Sequence, residues 1–345
     1  MLNYKRRRKK GSNLKIILDA MGGDFAPKST VEGAIMALKE EKDCHVVLVG
    51  DKEAIKKELK DKKYDKNRLT LVETTEVITN DDVPTKAIKQ KKNSSLVVGL
   101  QMLKENMGDV LVSAGSTGAV MTGGLLILGR IKGIDRPALP TVLDINKIKT
   151  MIIDSGANTC CKPINYVQFG IMGSMYMKEV YGVKNPRVGL LNIGAEEKKG
   201  NEITKQAYQE LKEANINFLG NVEGNEIPEN KVDVIVCDGF SGNIVLKFAE
   251  GLGKFFKDGL KTIFKSNITT KMSYLVLKTP LKSFFKGLDP SEIGGVPLLG
   301  IKGNIIKCHG RSDKKAIMNA IKTANRFASS NLVEKLENEV ATKKE

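Results

Sequence analysis

The sequence predicts an α/β protein with a largely parallel sheet covered by helices on both faces. Three observations predict it. Short apolar, β-branched runs alternate with amphipathic segments of helical length. Each run ends in a small, polar, glycine-bearing turn, the rhythm of parallel strands joined by crossover helices. The 345 residues can bury a large core, as one big domain or as two intertwined halves.

Residues 1–13 hold six lysines and arginines and no acid, and read as a disordered basic tail. Leu14–Leu18 predicts the first strand. The turn Asp19–Pro27 follows, with Pro27 suited to the first turn of a helix that carries Val31, Ala34, Ile35 and Leu38 on one face. His45–Val49 predicts a strand, Ala54–Leu59 a helix and Leu69–Val72 a strand. Pro84–Asn106 reads as mostly helical with a polar break at Lys91–Ser95. Asp109–Ser113 is a buried strand that breaks at Ala114–Gly118 and restarts as an apolar helix, Ala119–Leu128. The pattern then repeats. Strands are expected at Met151–Ile153, Val188–Leu191, Ile216–Leu219 and Val232–Val236, and helices at Tyr166–Tyr181 and Glu202–Ala214, with a turn-rich loop at Gly220–Glu229 and a long helix after Asn243.

In such sheets ligands bind beyond the carboxyl ends of the strands. Asp19, Ser113, Asp154, Asn192 and Asp238 are expected there, on one edge of one sheet. The turn Ser113–Gly118 is the central candidate. Gly115 and Gly118 let the backbone come close to a ligand, Ser116 and Thr117 add hydroxyls, and a helix N-terminus favours an anion. The expected phosphate-binding set is Ser113, Gly115, Ser116, Thr117, Gly118 and Lys92. Around it the expected cleft holds Asp19, Gly22, Gly23, Asp24, Asp154, Asn192, Glu196, Lys199 and His309.

Several chemistries lack their parts. There is no GxSxG elbow, no GxGxxG after a strand, no GxxxxGK[ST] and no HExxH. Five scattered cysteines without a CxxC pair, and only two histidines, suit reduced thiols in a cytoplasm rather than a disulfide frame or a metal site. No metal and no cofactor is expected. A site built from glycines, hydroxyls and amides suits a reaction whose nucleophile arrives with the substrate, as phosphate does.

Asp19–Pro27 (DAMGGDFAP), Lys91–Ser95 (KKNSS), Ser113–Ala119 (SAGSTGA), Gly129–Pro140 (GRIKGIDRPALP), Pro186–Glu202, Asn217–Glu223, Asp238–Lys247 (DGFSGNIVLK) and Lys307–Asp313 (KCHGRSD) together resemble the bacterial phosphate acyltransferases, the PlsX family. The resemblance runs from about Leu14 to Val333. It implies transfer of an acyl group from acyl-acyl carrier protein to inorganic phosphate, the entry step of phospholipid synthesis. It also implies a three-layer α/β/α fold like that of the isocitrate dehydrogenases and phosphate acetyltransferases, and a homodimer. Residues 14–333 would form a single catalytic domain, with a charged C-terminal tail at 334–345. The product would pass to a membrane enzyme, a glycerol-3-phosphate acyltransferase. Where relatives often place an acid before Lys-Pro this chain has Cys160-Cys161-Lys162-Pro163, and Phe25 stands where a His is frequent, so neither spot is assigned acid–base work. The expected mechanism is direct attack of phosphate on the thioester, with the oxyanion held by backbone N–H groups and Asn158 or Asn243. Lys162 supplies charge, and Asp238 orients phosphate or takes its proton.

The net charge of +16 is concentrated in the tail and in 252–286, where eight lysines face the single acid Asp258. That segment reads as an amphipathic helical arm. Lys254, Lys257, Lys261 and Lys265 border Phe255 and Phe264, which suits an anionic membrane surface, the acidic carrier protein or a dimer-packing arm whose lysines are solvated. The expected place is the cytoplasm, peripherally at the inner face of the membrane. Two rival readings remain open: a phosphate acetyl- or butyryltransferase using acyl-coenzyme A, and a basic nucleic-acid-binding protein resting on pI ≈ 9.4. Sparse aromatics and the lack of a binding motif count against nucleic acid.

Overall fold

The computed structural model describes residues 14–145, 148–286 and 294–341. The expected tail at 1–13 lies outside the described residues, as does the end of the expected C-terminal tail, 342–345. The chain forms two compact units, one from 14–128 and 303–329, the other from 129–302 and 330–341.

The first unit contains β1 (Leu14–Asp19), α1 (Lys28–Glu40), β2 (Cys44–Gly50), α2 (Lys52–Leu59), β3 (Leu69–Glu73), α3 (Pro84–Gln90), α4 (Ser95–Lys104), β4 (Val110–Ser113) and α5 (Thr117–Gly123). Beyond the second unit it is completed by a strand at Ile305–Lys307 and a helix at Lys314–Ser329. β1 is buried on both faces because its apolar run has helices on either side. Val31, Ala34, Ile35 and Leu38 of α1 are buried, as their spacing requires. Asp51 caps α2 through the Ala54 N–H at 2.7 Å, and Ser94 caps α4. The Lys91–Ser95 break therefore separates two helices. α5 opens at Thr117, two residues earlier than expected, and from Gly124 to Leu128 it widens into a π turn.

The second unit contains β5 (Thr141–Ile145), β6 (Ile148–Ile153), α6 (Pro163–Tyr181), β7 (Arg187–Asn192), α7 (Glu202–Glu213), β8 (Asn217–Glu223), β9 (Val234–Val236), α8 (Gly239–Lys265), α9 (Ile268–Lys286), the two-residue β10 (Val296–Pro297) and, after the first unit's last segments, a terminal helix. In chain order the completing strand Ile305–Lys307 is β11, the helix Lys314–Ser329 is α10 and Leu332–Ala341 is α11. β8 runs on to Glu223 where a loop was expected. β5, unforeseen, pairs antiparallel with β6. α6 ends at Gly182, whose φ of 74° lets the backbone turn left-handed out of the helix.

The parallel strands are thus divided between two sheets. The first unit has the order β11-β4-β1-β2-β3, and the second β5-β6-β9-β7-β8. The expectation that all five edge residues share one sheet is corrected. Asp19 and Ser113 end strands of the first sheet, whereas Asp154, Asn192 and Asp238 stand at the ends of β6, β7 and β9 in the second. Local periodicity sets strand length but not which distant strands pair, so it carries no count of sheets.

Candidate active site

In the first unit four polar segments converge at the carboxyl ends of the strands. The turn after β1 meets the turn after β4 so closely that a Cβ on Gly22 would lie 2.7 Å from the Gly115 nitrogen. Only glycine fits there. Gly23, at φ +102°, would bring a Cβ within 3.0 Å of both Ala114 and the Gly310 carbonyl. Asp24 takes its backbone hydrogen bond to that carbonyl at 2.8 Å, which ties in the turn after β11. Arg311 lies 3.9 Å from the Asp24 carboxylate, and the exposed His309 accepts the Arg311 N–H through Nδ1. The segment before α4 joins through Ser95, whose hydroxyl donates to Asp19 at 2.6 Å. Lys92, exposed, sits three residues before that serine.

Ser113 and Gly115 were expected to contact phosphate, and the structure corrects this. Ser113 is fully buried; its hydroxyl donates to Asp19 at 2.7 Å and accepts the Gly115 N–H at 3.1 Å. These groups hold the turn and offer nothing to a ligand. Asp19 is likewise interior, and burial pushes its carboxyl up from the ordinary range against the hydrogen bonds of Ser113 and Ser95. Ser116, Thr117 and Gly118 remain available. Thr117 is exposed, the Ser116 hydroxyl makes no cap, and the three backbone N–H groups find no acceptor among the described residues. A helix start leaves such groups unpaired.

In the second unit Asp154, Asn158, Asp238 and Asn243 come together where β6 and β9 end. Asp154 is fully buried and accepts from the backbone N–H groups of Leu139, Gly156, Ala157 and Asn158 and from the Asn158 amide. Burial nonetheless raises its pKa. The Asn158 amide gives both hydrogens away, to the Pro137 carbonyl and to Asp154. Its expected part as an oxyanion donor is corrected to that of a brace, and Asp154 supports the loop from inside instead of lining a cleft. Asp238 caps α8 through the Ser241 N–H at 2.7 Å, and Tyr166 donates to its other oxygen at 3.2 Å. Asn243 is exposed, its Oδ1 3.6 Å from where a Gly156 Cβ would stand. Lys162 is exposed at the start of α6 and lowers the pKa of Asp135, although the Asn165 hydrogen bond lowers it more. Asn192 turns its polar atoms inward, to the Lys199 carbonyl and to Asn221, so it organises its own loop rather than a ligand. Glu196 and Lys199 are exposed on that loop, 4.0 Å apart.

The arm is a hairpin of α8 and α9. Phe255 is 69% exposed, and Lys254, Lys257, Lys261 and Lys265 are exposed. Phe264, expected on the outer face, is half-buried and packs on Tyr274 with ring centroids 5.3 Å apart, inside the hairpin. Among the described residues no helix is long and apolar enough to cross a membrane.

Sequence reading missed Ser95 and Lys307. A serine opening an apolar helix reads as a cap, and a lysine after two isoleucines reads as a strand end. The KKNSS and KCHGRSD runs were the signals that could have found them.

A family model described as "Fatty acid synthesis protein" matches residues 14–335. A phosphate acyltransferase of Acetivibrio thermocellus is 51% identical over 324 residues, covering 94% of this chain and 96% of that protein. The chain belongs to the phosphate acyltransferase family. The phosphate acyltransferase of Caldicellulosiruptor saccharolyticus is 52% identical, over 96% of this chain and the whole of its own length. Members of this family are acyltransferases, and the chain is an enzyme of that kind. Among solved structures, a phosphotransacetylase from Streptococcus pyogenes aligns with TM-score 0.61 at 16% identity, covering 91% of this chain and 94% of that one. A 4-hydroxythreonine-4-phosphate dehydrogenase from Klebsiella pneumoniae aligns at 0.56 and 11%, covering 92% and 100%. At such identities they show the fold, a Rossmann-like arrangement of mixed parallel sheets with helices on both sides.

Proposed function

We propose that this phosphate acyltransferase moves a fatty acyl group from acyl-acyl carrier protein to inorganic phosphate, reversibly, giving acyl-phosphate for phosphatidic acid synthesis. A phosphate oxygen bonds to the thioester carbonyl carbon, the C–S bond breaks, and the thiolate leaves and takes up a proton. No side chain is acylated. The observation that carries this reading is the open row of N–H groups at Ser116, Thr117 and Gly118, held out by the buried Ser113 and Asp19 beneath it. Donors already fixed in place favour an anion and a developing oxyanion without reorganisation. Lys92 adds positive charge beside the same strand ends, and a thiolate leaves without strong acid catalysis.

The arm offers lysines and apolar rings to an anionic bilayer, where a membrane glycerol-3-phosphate acyltransferase would take the product. The chain would act as a homodimer, peripherally at the inner face of the membrane. The test is phosphate-dependent release of the carrier-protein thiol, run beside acyl-coenzyme A. Saturation by phosphate with the carrier-protein donor, and no acyl-enzyme on rapid quenching, is the expected result. Turnover with acyl-coenzyme A alone, or a trapped acyl-enzyme, overturns the reading.

A further inference from the structure

Lys307 is buried, 7% exposed, at the end of β11. Its strand register sets it opposite Ser113, and β4 is in register with β1 up to Val112 and Leu18. Lys307, Ser113 and Asp19 therefore stand in one row across three neighbouring strands, on one face of the sheet. The Lys307 ammonium donates to the Cys308 carbonyl and forms no ion pair among the described residues. A buried cation needs more compensation than one carbonyl gives.

Asp19 supplies the other half. Its carboxylate accepts from the Ser95 and Ser113 hydroxyls and lies against the turn after β1, where a Cβ on Gly22 would stand 2.5 Å from its Oδ2 and the backbone N–H groups of Met21 and Gly22 lower its pKa. An ionised carboxylate can accept from all of these, whereas protonation turns one oxygen into a donor. The charge on Asp19 thus decides whether the turn after β1 stays tied. It also reaches the turn after β4, because Ser113 passes the constraint to the Gly115 N–H at 3.1 Å. Both turns rest on one carboxylate, and burial opposes its charge. The titratable groups facing it are Lys307 and Cys308, and burial pushes the Cys308 thiol up to about 12, so it stays neutral. Lys307 is the cation facing Asp19: burial lowers its pKa, and the Asp19 charge pushes it back up.

We propose that Lys307 is a positioning residue for phosphate binding: its buried ammonium keeps Asp19 ionised and so holds the Gly22 and Gly115 turns in the shape that presents Ser116–Gly118 to the anion. This rests on the reading that phosphate binds at that turn.

The test is steady-state kinetics in phosphate across pH for the parent, Lys307→Met, Lys307→Gln, Asp19→Asn and the Asp19→Asn, Lys307→Met double variant. Ratios to the parent at each pH cancel the titration of phosphate itself. Without Lys307 the Asp19 pKa rises. The phosphate KM ratio then grows toward acid, by up to about tenfold per pH unit below the new pKa, and returns toward one in alkali. The kcat ratio moves less. Lys307→Gln, neutral but polar, behaves alike and stands in if Lys307→Met does not fold. Asp19→Asn raises KM at every pH, and adding Lys307→Met changes nothing further, because both act through one group. A KM ratio flat in pH for the neutral variants, or additive effects in the double variant, overturns the proposal. A phosphate KM left unchanged by Ser116→Ala, Thr117→Ala overturns instead the reading on which it rests.

Discussion

Asn158 commits both hydrogens of its amide, one to the Asp154 carboxylate at 2.8 Å and one to the Pro137 carbonyl at 2.7 Å. It is a clamp on a buried acid. Asn158→Ala removes one donor from Asp154 and leaves the Pro137 carbonyl unpaired, so unfolding in urea should shift by about 1–3 kcal/mol. An oxyanion donor would behave otherwise, leaving unfolding alone and cutting kcat by about a hundredfold or more. Urea melts and kcat on the same preparation separate the two.

At Ser116 and Thr117 the hydroxyls are uncommitted and add to the binding proposed for the backbone N–H groups beside them. The double alanine variant should therefore raise the phosphate KM only by the worth of one or two hydrogen bonds, about 0.5–1.5 kcal/mol each, with unfolding unchanged. Saturation curves in phosphate give the figure.

The two phenylalanines of the arm should part company. Phe255 faces outward, so Phe255→Asp should abolish flotation with anionic liposomes and leave thermal unfolding as it was. Phe264 pairs with Tyr274, so Phe264→Ala should loosen the hairpin by about 0.5–1.5 kcal/mol for the ring pair and speed trypsin cleavage at its lysines. Equal flotation of parent and Phe255→Asp would remove the membrane from the proposal.

Thiol chemistry gives a pH-dependent expectation. Burial raises the Cys44 thiol to about 11 and the Cys161 and Cys308 thiols to about 12, and raises Cys237 as well, while Cys160 is exposed. A raised thiol pKa keeps the reactive thiolate scarce at neutral pH and lets it grow as pH rises. Peptide mass mapping after brief alkylation of the native protein should find Cys160 labelled first, and the half-buried Cys161 gaining as the medium is made alkaline.

Much of this molecule was legible in its sequence, for reasons that stop at a definite scale. β1, β2 and β4 are near-continuous apolar runs because both faces are covered, and the α1 face is written at helical spacing. The edge strand β5 was not legible, being closed by an antiparallel pairing that no local pattern announces. β11 has only three residues and ends in lysine. The turns of the candidate site were found by their glycines and hydroxyls. Which hydroxyls face inward was not, since composition alone cannot tell Ser113, which holds Asp19, from Ser116, which does not. That distinction depends on pairing between segments 94 residues apart.

The strand that carries Lys307 returns to the first unit only after residues 129–302 have been laid down elsewhere. On the ribosome, β4 must therefore wait with an open edge until residues 305–307 have emerged. A nascent chain stalled or clipped before residue 305 would keep the glycine turns after β1 and β4 yet lack the Gly310 turn that closes on them and the lysine that faces Asp19.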